Sequence, residues 1–115
     1  MSTFLFIYRS PRDYVSGSDD ALTAWGAFFK GIGSNIADVG NPVFERRELG
    51  NCGADTVLGG YSVVRAENLA EAVALAEGCP ALLRAGGVEV GEITQLDASS
   101  LRPRQGHVQA ASLAQ

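Results

Sequence analysis

Residues 3–9 are apolar on both alternations, with Phe4, Phe6 and Tyr8 on one side and Leu5 and Ile7 on the other. That is the pattern of a strand covered on both faces. Residues 11–17 are a loop by composition, and Ser18 is placed to cap a helix whose first turn carries Asp19 and Asp20, where acidic groups favour the helix dipole. Leu22, Trp25, Phe29, Ile32 and Ile36 then step by three or four residues, which predicts one apolar helical stripe. Glycines at 26, 31 and 33 weaken that helix toward its end.

Residues 38–42 read as a turn, and the charged run Val43-Phe44-Glu45-Arg46-Arg47-Glu48-Leu49 as an edge strand. A polar, glycine-rich connection over 50–56 leads to Gly59-Gly60 and a strand over 61–65, rich in β-branched and aromatic residues. Asn68 is placed to cap a second helix, with Glu71 reaching back toward the cap and Leu69, Ala72, Val73 and Ala76 on one face. Gly78 and Pro80 stop it, a short turn over 81–84 follows, and 88–93 read as the last strand. The predicted order is β-α-β-β-α-β, an α+β ferredoxin-like domain with a four-stranded antiparallel sheet and both helices on one face. Helices on one face leave the other side of the first strand to be covered, and a second copy of the chain is the simplest cover.

The 115 residues make one domain with enough chain to build its own core. It is expected to occupy 1–96, with 97–115 a tail that is mobile or docks on a neighbour. Cys52 and Cys79 read as two separate thiols in a reducing, cytoplasmic setting rather than as a disulfide or metal site. The apolar start is far shorter than the ~20 residues of a membrane span and reads as a strand, not a signal. The net charge of −4, without a basic cluster, argues against a nucleic-acid surface. Small molecules or protein partners remain.

Gly59-Gly60-Tyr61-Ser62-Val63-Val64 with Leu69-Ala70-Glu71-Ala72, then Ala76-Glu77-Gly78-Cys79-Pro80 and Gly87-Val88-Glu89-Val90, resembles the YCII-related family, especially its DGPF-type branch. The resemblance implies a ferredoxin-like fold that pairs into a dimeric α+β barrel, and a kinship with muconolactone isomerases and barrel monooxygenases. The Asp-Gly-Pro-Phe signature itself is missing, with Asn51 to Leu58 in its place. The His-Asp pair proposed as catalytic in other members is also missing, the single histidine being His107 in the tail. The resemblance therefore carries fold and homodimer, but no catalytic role.

Candidate ligand-binding residues follow from side-chain chemistry. Tyr8, Trp25 and Tyr61 have the size and polarity to line an aromatic pocket between helix and sheet, with Arg9, Glu45 or Arg47 fixing a polar ligand group; the same aromatics also suit a core or a dimer interface. Glu89, between two valines, is either a solvated or inter-subunit ion-pair partner or a base with raised pKa. Asp38 suits a turn, and His107 a general base only if the tail folds over a pocket. No cofactor is expected. The function expected first is small-molecule binding or an accessory role. The alternative is an enzyme of the lactone-isomerase or cofactor-free oxygenase kind using Tyr, Asp or Glu.

Overall fold

The computed structural model describes residues 1–15 and 17–96; the expected tail over 97–115, with His107, lies outside them. The chain runs as β1 (Ser2–Pro11), α1 (Asp19–Gly31), a 3-10 turn (Gly33–Asn35), β2 (Ile36–Pro42), β3 (Thr56–Ala66), α2 (Leu69–Ala76), a second 3-10 turn (Pro80–Leu83) and β4 (Gly87–Glu92). The strands form one antiparallel sheet in the order β2-β3-β1-β4. This is the expected ferredoxin-like β-α-β-β-α-β arrangement. No helix among the described residues is long and apolar enough to cross a membrane.

The alternation of β1 sets the layers. Phe4, Phe6 and Tyr8 are buried under the helices, and each such aromatic contributes roughly 1.5–3 kcal/mol by leaving water. Val64 and Ala66 of β3 join them on that face, with Ala72, Ala76 and Cys79 from α2 and the turn that follows it. Alanines at the contact bring α2 close to the sheet. Asn68 caps the helix by accepting from the Glu71 N–H at 2.9 Å, while the Glu71 carboxylate reaches back to the Glu67 N–H. Leu69 and Val73, expected to face inward, are 50% and 41% exposed. The inner face is turned instead onto Ala72, Leu75 and Ala76.

Helix α1 starts at the expected cap, where the Ser18 hydroxyl accepts from the Ala21 N–H at 3.1 Å. Its inward stripe is Ala21, Trp25, Phe28, Phe29 and Ile32 rather than one led by Leu22, which is 63% exposed. Phe28 displaces Leu22 because three aromatics at 25, 28 and 29 bury more apolar surface than one leucine. The helix ends at Gly31, so Ile36 begins β2 and does not continue the stripe.

The second strand is the main correction. It spans Ile36–Pro42, and the charged segment 43–49 has no strand structure. The chain leaves α1 through one 3-10 turn directly onto the edge of β3, where the Asn35 side chain donates to the Arg65 carbonyl at 2.9 Å. Two register shifts break the pairing, between Ile36 and Asp38 and between Asp38 and Asn41. An edge strand tolerates Asp38, Gly40, Asn41 and Pro42 in a way that a central strand does not. Asp38 has a turn-stabilising role, its carboxylate accepting from the Gly40 N–H at 2.9 Å.

Gly40 has φ +78, and a Cβ there would lie 1.7 Å from the Tyr61 carbonyl oxygen. Gly26, inside α1, has open space around its missing Cβ. The two glycines therefore respond with opposite signs. In urea melts Gly40→Ala is expected to destabilise the protein by about 2 kcal/mol or more, and Gly26→Ala to stabilise it by about 1 kcal/mol. A neutral Gly40→Ala would show that the bulge is not fixed as described.

Candidate ligand-binding site

Between α1, the bulged part of β2 and the adjoining ends of β1 and β3 lies a cavity of about 270 Å³, enough for a single-ring molecule. Its origin is local. The β1–β3 register shifts between Tyr8 and Arg9, whose partners are Gly60 and Leu58, so Gly59 is the extra residue of a bulge. Gly60 lies opposite Tyr8, where a Cβ would come within 3.0 Å of the Asn41 carbonyl oxygen and 3.3 Å of the Pro42 Cα, so its bareness lets β2 approach closely. Trp25 and Phe29 wall the cavity from the helix, and Tyr14, Leu22 and Phe44 stand toward its mouth.

The aromatic wall is closely set. The rings of Tyr8 and Trp25 meet edge-to-face at 4.8 Å between centroids, and those of Trp25 and Phe29 lie tilted by 34° at 5.6 Å. Such contacts add about 0.5–1.5 kcal/mol per pair beyond area burial. Among the described residues, none of those lining it carries a formal charge at neutral pH. Tyr8 is 6% exposed and its hydroxyl donates to the Ser62 hydroxyl at 2.9 Å. Ser62, with no exposed surface, in turn donates to the Val39 carbonyl at 2.6 Å. Burial pushes the Tyr8 hydroxyl up to about 12, with the Ser62 hydrogen bond pulling the other way and Cys79 adding to the rise. Burial also raises the Cys79 thiol; it and Cys52 are both free, as expected.

The candidate residues are distributed unevenly. Tyr8, Trp25 and Tyr61 border this one cavity. Tyr61, however, pairs with Ile7 and so sends its ring to the opposite sheet face, where its hydroxyl accepts from the Asn41 amide at 3.3 Å. Arg9 is engaged elsewhere, donating to the Thr56 hydroxyl at 3.1 Å and to the carbonyls of Thr56 and Cys52 at 3.0 and 2.9 Å. It clamps the connection before β3 and does not line the cavity. Glu45 and Arg47 border a wider groove of about 820 Å³ open to solvent, next to the Arg12–Glu48 ion pair at 3.1 Å. Glu89 lies opposite Ile7 on the open sheet face, exposed. Among the described residues no group of three His, Cys, Asp or Glu side chains is set to hold a metal ion.

Ser62, Val39 and Gly40 were not among the candidates. Ser62 left one signal: it falls at the inward phase of Ser62, Val64 and Ala66, where a polar side chain needs a partner.

No known family model matches this chain, and no curated protein matches it. Among solved structures it is similar to 5-chloro-2-hydroxyhydroquinone dehydrochlorinase (TftG) from Burkholderia phenoliruptrix AC1100, determined in complex with 2,5-dihydroxybenzoquinone. The TM-score is 0.52 at 22% identity, over 79% of this chain and 93% of that one. The likeness is one of fold.

Tyr8 also predicts a pH effect. Its proton leaves at about 12 in the folded protein and at the ordinary 10.0 in the unfolded chain, so the unfolded chain deprotonates first. The contribution is fully present below pH 10 and is lost as pH rises through 12, amounting to roughly 2–3 kcal/mol. Urea unfolding between pH 9 and 12 should show this decline in the wild type and a correspondingly shallower one in Tyr8→Phe. Equal slopes in the two proteins would place the Tyr8 hydroxyl in water.

Proposed function

We propose that the chain is a distant YCII-related protein that binds a small, uncharged aromatic molecule in the cavity between α1 and the sheet, without catalysis of its own. The observation that carries this is the lining: Tyr8, Trp25 and Phe29 border a ring-sized space, and no described lining residue carries a charge. Such a site gains its affinity from apolar contact and ring-edge interactions. Among the described residues the lining includes no carboxylate or imidazole to act as general base.

A homodimer belongs to the same reading. Leu5, Ile7, Tyr61 and Val63 share the sheet face away from α1 and α2 and are only partly buried. A shallow groove of about 230 Å³ beside Leu5, Ile7 and Glu89 marks that face. Pairing two such faces makes the α+β barrel that the family resemblance implies, and Glu89 then stands near the subunit boundary. Two free cysteines suit a cytoplasmic setting.

The second reading, an enzyme, is favoured by one observation: a structure similar to this one is that of a dehydrochlorinase in complex with 2,5-dihydroxybenzoquinone. Tyr8 and Tyr14 would then be the groups available for proton transfer in this cavity.

Calorimetric titration with phenol should give one site per chain with a dissociation constant of about 1 mM or tighter, the range that seven non-hydrogen atoms reach at ordinary ligand efficiency. Light scattering should give the mass of a dimer, whose interface needs at least about 1,200 Å² in total; Ile7→Glu should reduce it to a monomer that still melts cooperatively. Absence of phenol binding would remove the ligand site, and a wild-type monomer the barrel. Chloride release from 5-chloro-2-hydroxyhydroquinone would replace the binding reading with the enzymatic one.

A further inference from the structure

The cavity beneath α1 and the wide groove beside the 43–49 segment adjoin. Phe44, 67% exposed, borders both. Ser10 on the cavity side is paired across β1 and β3 with Val57 on the groove side. The two spaces differ in character. The described lining of the cavity is uncharged, whereas the groove is bordered by Arg12, Glu45, Arg46, Arg47 and Glu48 around the buried Val57.

The arginines of the groove are not equivalent. Arg12 donates to both oxygens of the Glu48 carboxylate at 3.1 Å and to the Gly53 carbonyl at 3.0 Å, so its charge is matched within the chain. That is the one ion pair among the described residues. Arg46 is half-buried, whereas Glu45, Arg47 and Glu48 are exposed. Its Nη1 donates to the carbonyls of Phe44 and Val43 at 3.0 and 3.4 Å, which holds the guanidinium against the residue that the two spaces share. Its Nε and Nη2 groups meet no acceptor among the described residues, and a guanidinium edge of that kind takes a carboxylate through two parallel hydrogen bonds. Arg47 adds a second charge without a described carboxylate partner, donating to the Arg46 carbonyl at 3.3 Å. Glu45 borders the groove but is within ion-pair distance of neither.

From this geometry we infer that the ligand extends beyond its ring. It is an arylalkyl carboxylate, whose uncharged ring takes the cavity and whose carboxylate takes the groove, with Arg46 its principal partner and Arg47 adding to the local field. An arginine already held by two carbonyls gives up little side-chain freedom when it binds. The groove is open to water, so the attraction has the scale of an exposed ion pair and weakens with salt.

This rests on the ring cavity proposed above and adds a charged group that stays outside it; the experiment separates the two. Phenylacetate, 3-phenylpropionate and 4-phenylbutyrate are titrated calorimetrically into the full chain at neutral pH, each beside its neutral amide of the same size. At low salt at least one carboxylate should bind about five-fold more tightly than its amide. That preference should fall toward unity at about 1 M salt, where charges are screened within about 3 Å. Arg46→Gln should remove most of it while amide and phenol binding stay as in the wild type, and Arg46→Lys should retain part. Arg47→Gln should reduce it by a smaller factor. Equal binding of every carboxylate and its amide by the wild type, or a preference unmoved by salt or by Arg46→Gln, overturns the inference while phenol binding leaves the cavity in place. Failure of phenol and the amides to bind the wild type overturns the cavity and the inference together.

Discussion

A tyrosine hydroxyl in a dry core has to be satisfied, because an unpartnered polar group there costs about 1–3 kcal/mol. Tyr8 sits on β1, a central strand of the sheet, and Phe6, Trp25, Phe28 and Phe29 all lie in ring contact with it. Its only described hydrogen-bond partner is Ser62 on β3, and that of the Ser62 proton is Val39 on β2. One short polar chain thus crosses three adjacent strands at the level where the sheet pairing is most irregular. The bulges in β1–β3 and β2–β3 would otherwise loosen that end of the sheet; the relay ties it.

The cavity follows from the same arrangement. Bulges shift the strands, Gly60 lets β2 approach closely opposite Tyr8, and the aromatic residues of α1 bridge over the gap. At the other end of the sheet Ala72 and Ala76 let α2 pack directly onto Phe4 and Phe6. The domain is therefore tightly packed under α2 and leaves room under α1. The open face of the sheet is a separate matter, governed by Leu5, Ile7 and Val63.

What was legible in the sequence divides along physical lines. Strands β1, β3 and β4 and the two helix caps were legible because their signals are local: dense β-branched or aromatic runs, and Ser18 and Asn68 at the right spacing from free N–H groups. Strand β2 was not, since Asp38, Gly40, Asn41 and Pro42 are turn residues everywhere except on an edge with bulges, and the neighbouring charged run over 43–49 has the length of an edge strand. Tyr8 and Trp25 were legible as large rings between helix and sheet, where the structure places them, but the same rings serve a core as readily as a ligand site. Arg9, Glu45 and Arg47 were placed beside them on charge alone; the path of 43–55, which no local pattern dictates, carries Glu45 and Arg47 elsewhere and brings Cys52 to Arg9, which bonds it and Thr56 instead. Ser62 was missed because one small hydroxyl in a strand reveals its importance only when its neighbours across two strands are known.

The coupling between Tyr8 and Ser62 is the quantity on which the account stands. A double-mutant cycle of Tyr8→Phe and Ser62→Ala, read from urea unfolding at neutral pH, isolates it. The relay requires a coupling energy of about 1 kcal/mol or more, with the double variant less destabilised than the sum of the singles. Additivity within about 0.3 kcal/mol would mean that the two hydroxyls do not depend on one another, and the polar tie across β1, β3 and β2 would be lost with it.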